Sequence, residues 1–202
     1  MKKMLCLLLF FWTMPLLANE VNDSLQNKLN AMRTMSASFK QVIRSKHREI
    51  SHASGTMALA RPGKFLWHTV SPMEQVVIAD GQHLWIYDVD LEQVTVKKQD
   101  KSLGGTAALF LSGYDETLAQ DFNITRNQAG NTTTFDLTAT SHKANFQRVK
   151  LVFIAEKLQG IELFDQLGQR TEVTLMNIKN NPDLKASLFQ FKPPKGVDVV
   201  RQ

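Results

Sequence analysis

Cysteine is almost missing: the 202 residues contain one, Cys6, within the apolar N-terminal segment. That leaves the rest of the chain without a disulfide framework. A lipoprotein needs its acylated cysteine at the end of the apolar run, so a cysteine at position six also argues against a lipid anchor. A membrane-length run is missing too. Residues 4–17 are apolar but contain Pro15, and they fall short of the roughly 20 residues a spanning helix needs. With Lys2 and Lys3 in front, and Leu16-Leu17-Ala18 before Asn19-Glu20, the segment has the plan of a secretory signal peptide cleaved after Ala18. The expected organisation is a signal peptide over 1–18 and one exported domain over 19–202. A cysteine-free exported chain fits a bacterial periplasm.

Strong charge is also absent. The chain has 24 Lys+Arg and 19 Asp+Glu, a formal +5; without Lys2 and Lys3 the balance is +3. That is too mild, and its cations too scattered, to point to nucleic acid. Catalytic signatures are lacking. Histidines fall at 47, 52, 68, 83 and 142 with no HExxH and no usual ligand spacing. No Gly-x-Ser-x-Gly elbow occurs, and "SLGGTA" is not followed by the Gly-Lys-Ser/Thr of a phosphate loop. "DVDLEQ" opens like a calcium loop but lacks its glycine and terminal glutamate, so a polar hairpin turn is the better reading. "NIT" and "NTT" match glycosylation acceptors by chance. The expectation is a non-enzyme with no metal and no cofactor.

What is present is a helix followed by many short strands. Leu25, Leu29 and Met32 at i, i+4, i+7 predict an amphipathic helix, with Asn22 or Asp23 as N-cap. From Ser36 the period becomes two: Ala37, Phe39, Gln41 and Ile43 alternate with polar neighbours. A strand is expected from Gly55 to Leu59, then a turn at "RPG", then a strand with Phe65, Trp67 and Thr69 on one side. "QVVIAD" and "LWIYD" flank a hairpin turn at Asp80-Gly81, and Val94 and Val96 share a face of the next strand. An apolar insert over 107–111 and a short helix over Asp115–Gln120 interrupt the series. Strands resume around Ile124, Leu137, Leu151, Ile161 and Val173. "NNPDLKASLF" leads into a short helix, and "FKPPKGV" permits at most an edge strand. About ten strands with hairpin connections predict a mainly β protein with some α, a curled antiparallel sheet with helices against one face. Such a sheet can enclose an apolar cavity rather than a solid core. Phe65, Trp67, Trp85, Phe110, Phe153 and Phe164 supply aromatic surface for either. Arg61 stands at the mouth of the apolar strand, directly before a proline. A guanidinium is always charged and offers five donors, so it is either a solvated turn residue or bonds a defined partner elsewhere.

"ASFKQ" after an amphipathic helix, "RPGKFLWH", "DGQHLWIYD", the helical insert and "FQFKPPKGV" together resemble the periplasmic outer-membrane lipoprotein carrier family, LolA, over essentially the whole exported chain. The resemblance implies an unclosed β-barrel with a helical lid over a hydrophobic cavity. It implies a carrier that takes acylated lipoproteins from an inner-membrane lipoprotein-releasing ABC transporter and passes them to the outer-membrane receptor LolB. By the same resemblance Arg61 is the lid latch, with lid contacts at Leu29, Leu111 and Ser112. Phe65 is the acyl-contacting residue, and Trp67 is cavity wall or core. A monomer is expected. A periplasmic lipid- or lipoprotein-sensing regulator on the same fold is the alternative; such proteins usually append a second domain, and a LolB-like receptor would need a lipobox cysteine.

Overall fold

The computed structural model describes residues 16–99, 107, 111, 112, 118–141 and 146–202. It starts with α1 (Leu16–Ala31) and a meander of six strands: β1 (Thr34–Ser45), β2 (Arg48–Ala60), β3 (Lys64–Ser71), β4 (Gln75–Asp80), β5 (His83–Asp88) and β6 (Gln93–Lys98). After α2 (Leu118–Asp121) a second meander runs through β7 (Phe122–Ala129), β8 (Thr132–Ala139), β9 (Phe146–Ile154), β10 (Lys157–Asp165) and β11 (Gln169–Asn180), and β12 (Asp198–Arg201) closes the chain. All twelve strands form one sheet in the order β12-β6-β5-β4-β3-β2-β1-β11-β10-β9-β8-β7. The two meanders join where β1 pairs antiparallel with β11. The sheet curls but stays open, with β12 and β7 as its edges. β6, near one edge, and β7, at the other, are consecutive strands in the chain.

The core fills the concave side. Leu25 and Leu29 of α1 are 1% and 2% exposed, and Met32, just past the helix, continues their stripe. They join Met35, Phe39, Phe65, Phe135, Leu151 and Ile161 from the inner face of the sheet in one cluster. Burying each large side chain of this kind contributes about 1.5–3 kcal/mol. On the outer face of β9 to β11 the alternation puts Lys150, Glu162 and Glu172, with Glu162 ion-paired to Arg170 at 2.9 Å. Ala107 and Leu111, the described parts of the expected insert, are helical and buried. The rest of the insert, including Phe110, lies outside the described residues, as does the start of the helix expected at Asp115.

Two boundaries differ from the expected ones. α1 begins at Leu16, so Asn22 and Asp23 sit inside it rather than capping it. Leu, Ala and Glu are good helix formers and no breaker stands between them and Leu25, so the amphipathic segment extends backward. β2 begins at Arg48, not Gly55; its exposed first half has no apolar signal and is held by pairing with β1. The sheet also has an apolar layer on its outer side. Val94 and Val96 are buried, and they pair with Tyr87 and Trp85. Phe191 packs on both aromatic rings, at centroid distances of 5.6 and 5.8 Å. The C-terminal segment, with a 3-10 turn at Ala186–Phe189, covers this layer, and β12 adds to β6 in parallel as an edge strand.

The turn at Asp80 shows how a hairpin is fixed here. Asp80 accepts hydrogen bonds from the backbone N–H groups of Gln82 and His83, both at 2.7 Å, and from the Trp85 indole at 3.0 Å. Burial pushes this carboxyl up, but the Trp85 indole, the two amides and the nearby His83 together hold it below the ordinary carboxylate range. A depressed acid pKa stabilises the fold above the unfolded value near 4 and loses that contribution as pH falls through the folded value. Asp80→Ala is expected to lower stability by roughly 1–2 kcal/mol at neutral pH. In urea denaturation the gap to wild type should shrink as pH falls through the depressed folded value and the wild-type carboxyl becomes protonated.

Candidate functional site

β3 carries Phe65 and Trp67 inward, because residues two apart share a face. Phe65 is fully buried and Trp67 is 8% exposed. Trp67 stacks on Phe39 of β1 with ring centroids 4.0 Å apart and planes at 28°, a geometry that adds about 0.5–1.5 kcal/mol beyond the area buried. Both side chains line an internal cavity of about 250 Å³, with Val77, Leu163 and Ala107 of the insert among its other walls. Trp67 is therefore cavity wall and core at once. The cavity is smaller than the roughly 300–1,000 Å³ of pockets for drug-sized ligands. A larger groove of about 620 Å³ lies at the rim near Gly81, Trp85 and Arg201, on the side away from Phe65.

The "RPG" turn joins β2 to β3 at the rim. Arg61 is half-buried. Its backbone N–H donates to the Arg33 carbonyl at 2.9 Å, and its Nη2 donates to the Leu111 carbonyl at 2.6 Å. Two residues on, the Gly63 N–H donates to the Ser112 carbonyl at 3.1 Å. Leu111 and Ser112 are fully buried. The turn thus holds two successive carbonyls of the insert, one with a charged guanidinium N–H and one with a backbone amide. Arg61 makes no ion pair among the described residues, and its buried Nε has no hydrogen-bond partner among them. Burial without a counter-charge pushes the guanidinium down to about 10, which still leaves it protonated at neutral pH. Leu29 lies in the core, but its carbonyl accepts the Met32 N–H at 3.2 Å rather than a bond from Arg61.

Two supporting residues were not among the expected ones. Gln99, 3% exposed, donates from Nε2 to the Gly63 carbonyl at 2.7 Å and accepts the Gly81 N–H at 3.1 Å. It ties the β2–β3 turn to the β4–β5 turn. Asn181, at φ 53°, accepts the Arg33 N–H at 2.9 Å and donates to the Ala31 carbonyl at 2.9 Å. It satisfies the open end of α1 and pins the helix to the start of β1. A lone Gln at a strand end and an Asn before a proline carry no signal for either role. His68 and His83 have ordinary partners: His68 Nε2 lies 2.8 Å from Glu74, and His83 is 3.7 Å from Asp80. Among the described residues no group of three metal-ligating side chains occurs, and no helix is long and apolar enough to cross a membrane.

Comparison with known proteins agrees with this geometry. The family model described as outer membrane lipoprotein carrier protein LolA matches residues 30–192. The chain is 58% identical over 202 residues to the outer-membrane lipoprotein carrier protein of Legionella pneumophila (strain Corby), covering the whole of both chains. It is 38% identical over 193 residues to the protein of the same description from Dechloromonas aromatica (strain RCB), covering 94% of this chain and 92% of that one. In fold it is similar to an uncharacterized conserved protein from Thermus thermophilus, with a TM-score of 0.56 at 14% identity over 92% of this chain and 99% of that chain.

Proposed function

Since the chain belongs to the LolA family of outer-membrane lipoprotein carrier proteins, we propose that it carries acylated lipoproteins across the periplasm with their acyl chains under the lid. The observation that carries this reading is the apolar cavity lined by Phe65 and Trp67 beneath a lid held by Arg61 at the Leu111 carbonyl. Cargo arrives from an inner-membrane ABC transporter and leaves to the outer-membrane receptor LolB. The carrier acts as a monomer, without catalysis or cofactor. Export uses residues 1–18 as a cleaved signal peptide, so the mature α1 would start near Asn19.

The physics of the cargo explains why a latch is needed. Acyl burial is worth about 0.8 kcal/mol per CH₂, enough to make binding of several chains nearly irreversible. A carrier has to recover some of that free energy at release. Closure does so if the empty, closed state is favourable, and Arg61 supplies a charged hydrogen bond of about 1.5–3 kcal/mol. Desolvation of the unpaired guanidinium offsets part of this, which keeps the closed state shallow and the latch reversible.

Spheroplasts test the proposal. Added purified protein is expected to release acylated lipoproteins into the supernatant as a soluble complex that mass spectrometry identifies. No release above a buffer control would sink the carrier reading and favour a lipid-sensing regulator.

A further inference from the structure

The cavity is not apolar throughout. On four strands the inward-facing series carries a polar residue toward the end away from Arg61. On β1 it runs Ala37, Phe39, Gln41 and then apolar Ile43, which also lines the cavity; on β3 Phe65, Trp67, then Thr69; on β4 Ala79, Val77, then Gln75; on β11 Leu175, Val173, then Thr171. The pairings put these residues close together. Thr69 lies opposite Gln75, and Thr171 lies opposite Ile43, two residues beyond Gln41. All four polar side chains are half-buried and all four line the cavity. Gln75 is oriented by donating from Nε2 to Asp88 at 2.6 Å, which leaves its carbonyl oxygen and second N–H uncommitted. Among the described residues Gln41, Thr69 and Thr171 make no side-chain hydrogen bond.

We infer that Gln41, Thr69, Gln75 and Thr171 form a polar collar that binds the ester carbonyls joining acyl chains to the glycerol of a lipid-modified cysteine, with the tails directed toward Phe65 and Trp67. This rests on the carrier reading and says which part of the cargo is recognised. An acyl chain entering this cavity brings its ester with it, and a buried ester without a donor is penalised. Hydroxyl and amide N–H groups of the collar are donors of the kind an ester requires. An apolar pocket alone would take any long hydrocarbon. The collar selects an acyl ester over a bare chain, and it fixes the polar end of the cargo at the end of the barrel opposite the latch.

The experiment measures displacement of a bound hydrophobic fluorophore by two synthetic lipopeptides, one with a diacylglyceryl cysteine and one with the matching dialkyl ether. Wild type is expected to bind the ester roughly ten-fold more tightly. The near-isosteric double variant Gln41→Leu/Thr171→Val is expected to bind both alike, with its ether affinity within about two-fold of wild type. The single variant Thr171→Val, which scarcely changes volume, is expected to fall between them. Equal binding of ester and ether by wild type overturns the collar while leaving the carrier reading intact. So does an undiminished ester preference in the double variant. Failure of wild type to bind either lipopeptide overturns both.

Discussion

Arg61→Leu is expected to leave the barrel folded and cargo loading intact while slowing handover to the receptor at least about ten-fold. The variant removes the Nη2–H bond to the Leu111 carbonyl and leaves that fully buried carbonyl without its donor. Losing a charged hydrogen bond of about 1.5–3 kcal/mol shifts an open–closed equilibrium by roughly ten- to over a hundred-fold. The empty protein then gains little by closing, so cargo stays. The remaining grip, from the Gly63 N–H to the Ser112 carbonyl at 3.1 Å, is neutral and weaker. Arg61→Lys should fall between the two, because an ammonium keeps the charge but not the fork. The measurements are lipoprotein transfer to outer-membrane receptor and lid opening by a fluorophore on the lid. Handover at the wild-type rate would refute the latch. Burial pushes Arg61 down only to about 10. A base disfavoured in the closed state is linked to proton loss only above that pH, so the ratio of wild-type to variant rates should be flat from about pH 6 to 9.

Much of the sheet is visible in the sequence because alternation reports which residues share a face. It does not report which face is covered by what. Val94 and Val96 share a face as expected, yet it is the outer one, where Trp85 and Tyr87 meet Phe191 from the C-terminal segment. Two apolar layers on one sheet look alike to a period-two reading. The first half of β2 is invisible for the opposite reason: its exposed residues are ordered by backbone pairing to β1, which leaves no trace in hydrophobicity. At the site, the turn at Arg61 is legible from proline and glycine, but its partner is not. Leu111 is fifty residues away and contributes a carbonyl, a group every residue has. The family resemblance pointed to Leu29 and Leu111 alike. The geometry separates them, since the Leu29 carbonyl is already used by Met32. Asn181 and Gln99 act on backbone groups in the same way, and for the same reason they escape a reading of side-chain patterns.

Gly55→Ala is expected to give the largest loss of stability of any single methyl added to this chain's described glycines, about 3 kcal/mol, or a fall of about 6–12 °C in Tm. A Cβ at Gly55 would lie 1.9 Å from the His68 carbonyl oxygen and 3.0 Å from the Thr69 Cα. Those are backbone atoms of the neighbouring strand, so no rotamer change relieves the clash and β2 and β3 must separate. The spacing arises at a bulge, where the register slips between Ser54 and Gly55 and Gly55 comes to face Thr69. Gly130 provides the control. It has φ 56° but no atom within 4 Å of an added Cβ, so Gly130→Ala meets only left-handed backbone strain of roughly 1–2 kcal/mol. Thermal unfolding of the two variants separates crowding from strain, and an equal or smaller shift for Gly55→Ala would disprove the close approach. The effect should also reach the cavity. Gly55 pairs with Phe39 on β1 and Thr69 on β3, so spreading the strands there displaces the wall where Phe39 stacks on Trp67. Thr69, opposite Gly55, lines the cavity, so a folded Gly55→Ala population is expected to bind the hydrophobic fluorophore several-fold more weakly.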